Sequence, residues 1–171
     1  MSQLLDNILS RSNMLEAYNQ VRANKGSAGI DGITIDEIDD YLRKHWLSTK
    51  ELIKQRKYKP QPVLRVEIPK PNGGVRQLGI PTVMDRMIQQ AIVQVISPIC
   101  EPYFSEKSYG FRPNRSCEQA VIQLLEYLND GYEWIVDIDL EKFFDTVPQD
   151  RLMSLVHNII QDGDTESLIR K

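Results

Sequence analysis

The sequence predicts a helix-rich α/β protein, and three observations carry that prediction. Apolar residues recur at helical spacing through most of the chain, most strongly between Val83 and Ile99. Two short segments, 62–69 and 77–80, flank Lys70-Pro71-Asn72-Gly73-Gly74-Val75-Arg76, whose central Asn-Gly marks a β-hairpin. A third segment, Trp134 to Leu140, alternates, with Ile135, Asp137 and Asp139 on one face and Val136, Ile138 and Leu140 on the other. The 171 residues suffice for one domain or one large domain with an appendage, and an apolar content of 41% supplies a core.

In chain order, residues 2–24 read as helix, with Leu4, Leu5, Ile8 and Leu9 in one stripe and Met14, Leu15, Tyr18 and Val21 in another. Ser12 or Asn13 is the expected cap of the second segment. Lys25-Gly26-Ser27-Ala28-Gly29-Ile30-Asp31-Gly32 breaks the helix. Its glycines allow close approach of backbone to a ligand, and the amides of Gly26 to Gly29 with Lys25 suit a phosphate. A plain flexible connection is the alternative. A second helix spans Asp36 to Leu47, with acids where the helix dipole favours them, and a third, basic one spans Lys50 to Tyr58. The hairpin follows. Lys70 and Arg76 stand on either side of its tip and suit a triphosphate or backbone phosphates, or are two solvated charges.

Thr82 is the expected cap of the long helix from Val83 to Ile99, predicted to be the most buried, with Pro98 and Pro102 at its exit. Tyr109-Gly110-Phe111-Arg112-Pro113 sets aromatics beside arginine, the chemistry on which single strands stack and pair. Ser116 caps a helix through Leu128 whose inward face is Cys117, Ala120, Val121, Leu124 and Leu125. Asn129-Asp130-Gly131 turns into the alternating strand, and Thr146-Val147-Pro148 leads to a helix over Gln149 to Ile160. A last helix starts at 165 and reaches Lys171 without a stop signal, so the chain is expected to continue.

Charge is unevenly distributed. Residues 1–53 carry a net −2, residues 54–115 a net +7 and residues 116–171 a net −8. A basic middle beside an acidic end suggests a surface for polyanions next to a site for cations. The two cysteines, Cys100 and Cys117, form no CxxC pair, which fits a reducing cytoplasm and no cysteine metal site. The N-terminus is too polar for a signal peptide, and no apolar run approaches membrane-spanning length.

The richest chemistry lies in Trp134-Ile135-Val136-Asp137-Ile138-Asp139-Leu140-Glu141-Lys142-Phe143-Phe144-Asp145. A strand that ends in carboxylates and at once reverses direction is a natural holder for a hard divalent ion such as Mg²⁺. The alternative is an edge strand with a solvated acidic face.

Four blocks in order resemble the N-terminal part of a group II intron-encoded reverse transcriptase of the bacterial maturase type. They are the glycine loop 25–32, the hairpin Ile68–Pro81, the block Phe104–Cys117 with Ser108-Tyr109-Gly110-Phe111-Arg112-Pro113-Asn114-Arg115-Ser116, and Val136–Asp145. The resemblance implies an N-terminal extension (1–53), the fingers of a right-hand polymerase (54–132) and the start of the palm (133–171). It further implies an RNA-directed DNA polymerase that uses two Mg²⁺ ions, deoxynucleoside triphosphates, an RNA template and a DNA primer, and that grips intron RNA as a maturase. Residue by residue, Asp139 matches the family's first catalytic carboxylate, being followed by Phe144, Asp145, Thr146, Val147 and Pro148, and Asp137 is the weaker candidate ligand. The Leu140 carbonyl becomes a further ligand and Phe144 the ring that excludes a 2′-hydroxyl. Lys70 and Arg76 clamp the triphosphate. Lys25, Gly26, Ser27, Ala28 and Gly29 with Arg65, Arg112 and Arg115 lie along template or intron RNA.

One departure matters. The family's second acidic block, Tyr-Ala-Asp-Asp, does not occur in this sequence, so the expectation is that this chain alone does not polymerise. Two rivals stand beside that reading: a non-catalytic RNA-binding module, and an unrelated Mg²⁺ phosphoesterase built on Asp137 and Asp139, which the two histidines, His45 and His157, supply poorly with further ligands. A bacterial cytoplasmic location is expected, with no membrane partner, and the oligomeric state, a homodimer included, stays open.

Overall fold

The computed structural model describes residues 2–71 and 73–171. Asn72, the first half of the expected Asn-Gly turn, lies outside the described residues. The chain is helix-rich, as expected, with a single two-stranded antiparallel sheet among those residues.

The first 24 residues form two helices, α1 (Gln3–Ile8) and α2 (Arg11–Ala23), with the second segment starting earlier than the expected caps at Ser12 or Asn13 would place it. The break is local chemistry. Ser10 adopts extended backbone and its hydroxyl oxygen accepts the Asn13 N–H at 3.3 Å, an N-cap. The expected caps, Ser12 and Asn13, do other things. The Asn13 amide donates to the carbonyls of Ile8 (2.8 Å) and Ala91 (3.0 Å) and so ties the α1–α2 joint to a later helix. The two helices expected over 36–58 are one, α3 (Ile38–Lys54). No glycine or proline interrupts 47–50, and the Ser48 hydroxyl is absorbed by the His45 carbonyl at 2.8 Å.

Strands β1 (Leu64–Pro69) and β2 (Val75–Ile80) pair antiparallel in the register Leu64↔Ile80 through Pro69↔Val75. Thr82 then caps α4 (Val83–Cys100), its side chain accepting the Asp85 N–H at 3.1 Å. Pro98 lies inside the last turn of α4, not beyond it, leaving the Gln94 carbonyl without its helical donor. A single 3₁₀ turn, Glu101–Tyr103, follows. α4 is the most buried helix, as the methionine and aliphatic stripe predicts. Val83, Met84, Met87, Ile88 and Ala91 pack with Leu5, Ile8 and Leu9, with Met14, Ala17 and Val21 of α2, and with Ile38 and Ile53 of α3.

The second half is more open. α5 (Cys117–Asn129) begins with the expected Ser116 cap, completed into a capping box by Gln119. Its expected inward face is not inward: Cys117 is exposed, Val121 and Leu125 are 54% and 52% exposed, and no residue of the helix is buried. The expected strand over 134–140 also fails to form. Trp134 is 93% exposed and Val136 and Ile138 are each 81% exposed, and no strand among the described residues pairs with this segment. The alternation is real, but a strand exists only as half of a ladder, and none of the described residues supplies the other half.

The chain closes with α6 (Phe143–Thr146), α7 (Gln149–Ile160) and α8 (Gly163–Ile169). α8 returns to the core through Leu168 and to the chain start through Asp164, which accepts the Ser2 N–H at 2.9 Å and the Arg56 Nε–H at 2.8 Å. No helix among the described residues is long and apolar enough to cross a membrane.

Candidate nucleotide and template site

The glycine loop is held on the root of α4. Gly29 is buried, and a Cβ there would lie 2.7 Å from both the N and the Cα of Thr82. Nearby, Arg86 donates Nη2–H to the Ser27 carbonyl at 2.5 Å, and a Cβ on Gly26 would meet the same guanidinium. Lys25 takes a left-handed backbone (φ 48°) and is exposed, as is Ser27, while Gly26 and Ala28 are half-buried. Close backbone packing is thus one reason for glycine here. Arg86 went unnoticed in the sequence because its partner is a carbonyl 59 positions away.

The hairpin is an arm with no buried residue on either strand. Its register puts Leu64, Val66, Ile68, Arg76, Leu78 and Ile80 on one face and Arg65, Glu67 and Gln77 on the other. Arg65 and Arg76 therefore leave opposite faces of the hairpin. The tip is closed by Lys70 N–H to the Gly74 carbonyl at 3.0 Å and by Gly73 N–H to the Lys70 carbonyl at 3.1 Å. Gly73 and Gly74 both take positive φ (83° and 81°), a need their residue type meets without strain. Lys70 and Arg76 are exposed.

Arg112 is the organiser of its block. Its side chain is 7% exposed. Nη2 and Nε donate to Glu101 Oε1 at 2.7 and 3.1 Å, and Nη1 donates to the carbonyls of Ser105 (2.5 Å) and Ser108 (2.9 Å). A guanidinium so occupied shapes the loop around it. That loop presents Arg115 against the Tyr109 ring (5.6 Å to its centre) and Phe111, fully exposed at a left-handed φ of 55°.

The Arg112 hydrogen bond holds the Glu101 carboxyl below the usual carboxylate range. A folded pKa below the unfolded one stabilises above the ordinary value near 4.3 and is lost as pH falls through the lowered one. Backbone protection at 105–112, corrected for intrinsic exchange, is expected to persist at pH 7 and collapse upon acidification below about pH 4. In Arg112→Ala it is expected to be low at both pH values.

The acidic segment is open to solvent. Asp137 and Asp139 are exposed, and Asp139 Oδ1 accepts the Leu140 N–H at 3.0 Å, leaving Oδ2 free. Lys142 turns the chain through a left-handed residue (φ 49°) into α6, whose first two residues, Phe143 and Phe144, meet edge to face at 5.6 Å. Phe144 is 91% exposed and Phe143 48%. Among the described residues no group of three or more His, Cys, Asp or Glu side chains converges to hold a metal ion. Asp139 and the Leu140 carbonyl fit Mg²⁺ in donor type, hard oxygens on an open face, and offer part of the six that the ion takes.

The hairpin, the arginine–aromatic block and the exposed carboxylate–phenylalanine turn follow one another along the chain in the order in which the sequence sets the resembling blocks. The family model described as reverse transcriptase (RNA-dependent DNA polymerase) matches residues 68–170, more than half of the chain. The chain belongs to that reverse transcriptase family. It is similar to the group II intron-encoded protein LtrA of Lactococcus lactis subsp. cremoris, 36% identical over 156 residues, which are 91% of this chain and 26% of that protein. It is similar to the putative COX1/OXI3 intron 2 protein of Saccharomyces cerevisiae, 36% identical over 161 residues (92% of this chain, 18% of that protein). It also matches protein YkfC of Escherichia coli K12, 35% identical over 164 residues (92% and 43%). The resemblance to group II intron-encoded reverse transcriptases and maturases is thereby borne out. The chain spans less than half the length of each of these curated relatives.

Proposed function

We propose that this chain supplies the N-terminal extension (1–53), fingers (54–132) and first part of the palm (133–171) of a group II intron-encoded reverse transcriptase. That protein adds nucleotides from deoxynucleoside triphosphates to the 3′-end of a DNA primer on an RNA template, and it grips intron RNA as a maturase. The observation that carries this is the open Asp139–Phe144 turn lying within the matched region. Asp139 and the Leu140 carbonyl hold metal, with Asp137 the lesser candidate. Bound there, Mg²⁺ would supply the Lewis-acid chemistry that activates a primer hydroxyl and neutralises charge on a departing pyrophosphate. Lys70 and Arg76 take the triphosphate. Lys25 to Gly29, Arg65 and Arg115 follow the template or intron RNA, and Arg112 serves them by holding its loop. The free thiols of Cys100 and Cys117 suit a reducing bacterial cytoplasm.

With one acidic block of two, the chain alone does not extend a primer. An assay with Mg²⁺, deoxynucleotides and a primed RNA template is expected to give no product, and full-length product would overturn this. When the chain is joined to a palm that carries the Tyr-Ala-Asp-Asp block, Phe144→Ala is expected to admit ribonucleotides that the parent rejects, read as ribonucleotide incorporation on the same template.

A second reading, an RNA-binding module without chemistry, is favoured by the net +7 of residues 54–115. Intron-RNA binding that survives Asp139→Ala, while a protein joining this chain to a complete palm loses primer extension with the same substitution, separates the two activities.

A further inference from the structure

The hairpin has no buried residue, yet its two roots converge on one buried carboxylate. Asp85, on the first turn of α4, is 3% exposed. Its Oδ2 accepts the Gln61 N–H at 3.2 Å and the Thr82 Oγ1–H at 2.6 Å, and its Oδ1 accepts the Tyr58 hydroxyl. Gln61 lies three residues before β1 and Thr82 two residues after β2. Tyr58 is set by the end of α3, where Arg56 takes a left-handed φ of 58° and the Leu52 carbonyl accepts the Lys57 and Tyr58 N–H groups at 2.8 and 3.1 Å. One side chain thus joins the end of α3, the entry to the hairpin, its exit and the start of α4. Burial, followed by the bond to Asp85, pushes the Tyr58 hydroxyl far above its ordinary pKa, so it remains a donor at any physiological pH.

We propose that Asp85 is a positioning residue that sets the attitude of the hairpin, and with it the places of Lys70 and Arg76. An arm anchored only at its roots pivots when that anchor is loosened. Uncompensated, the carboxylate or its donors would be buried unpaired, so the closed clasp is the state that burial enforces. The consequence for triphosphate binding rests on the role given to Lys70 and Arg76 above, whereas the clasp itself does not.

The test uses the 171-residue chain with Cys100 and Cys117 replaced by serine and spin labels at Val75→Cys, by the hairpin tip, and Val93→Cys, exposed on α4. Asp85→Ala and Tyr58→Phe are compared with Met14→Ala, which loosens the core away from the clasp, all at a temperature where circular dichroism shows the helices intact. The label-to-label distance distribution is expected to broaden in the two clasp variants and to stay narrow in Met14→Ala. Unchanged distributions in both clasp variants, or equal broadening in Met14→Ala, would overturn the proposal. Titration with dATP and Mg²⁺ on the same proteins reads the second half. An arm in the competent attitude a tenth of the time binds about tenfold more weakly. Broadening without any change in dATP affinity leaves the clasp standing and removes Lys70 and Arg76 from the triphosphate site.

Discussion

In a protein that joins this chain to a complete palm, Asp139→Asn is expected to lower primer extension by about 10³-fold or more, while Asp137→Asn is expected to lower it by less than about tenfold. Loss of a charged metal ligand removes several kcal/mol of transition-state stabilisation, and each 1.36 kcal/mol is a factor of ten in rate. The contrast between the two is the informative part. Both carboxylates are exposed, so neither burial nor charge ranks them. What ranks them is the resemblance: Asp139, and not Asp137, is followed at the family's spacing by Phe144, Asp145, Thr146, Val147 and Pro148; its Oδ1 also accepts the Leu140 N–H. Single-turnover extension at saturating template measures the effect, and template affinity is expected to stay within about threefold for both, because neither side chain donates a positive charge to phosphate. Equal losses for the two variants would mean that the ligand has been misassigned.

Gly29→Ala is expected to destabilise the fold by about 3 kcal/mol, or roughly 10 °C in Tm for a chain of this size. The new Cβ would stand 2.7 Å from Thr82 N and Cα and 2.9 Å from the Pro81 carbonyl carbon. All three are backbone atoms at the cap of α4, so nothing flexible can yield. Gly26→Ala should be milder, because the atoms it meets are the far end of the Arg86 side chain. Gly32→Ala should cost about 1 kcal/mol from its positive φ alone, since that Cβ meets nothing within 4 Å (φ 71°). Thermal melts of the three variants check the order.

That series shows where residue type speaks for itself and where it does not. The three glycines read alike in the sequence, as a loop that approaches a ligand. One answers to a helix cap, one to an arginine and one to its own dihedral angle. Elements set by neighbours in the chain were legible: the Thr82 and Ser116 caps, the hairpin, α4 with its core stripe, and α7. The four ordered blocks were legible too and identify the family, while the roles given to Lys70, Arg76, Arg115, Asp139 and Phe144 come from that resemblance.

Whatever depends on a partner far along the chain was not. Ser10 against Ser12 or Asn13 as cap was decided by the Asn13 amide reaching Ala91. Arg112 looked like a ligand for RNA and is taken up by Glu101 and two carbonyls. Asp85 was not singled out in the sequence and is the meeting point of both hairpin roots. The strand over 134–140 and the inward face of α5 were misread for one reason. Periodicity says which side of an element is apolar, while burial of that side needs a second surface, and only the folded chain shows whether one is there.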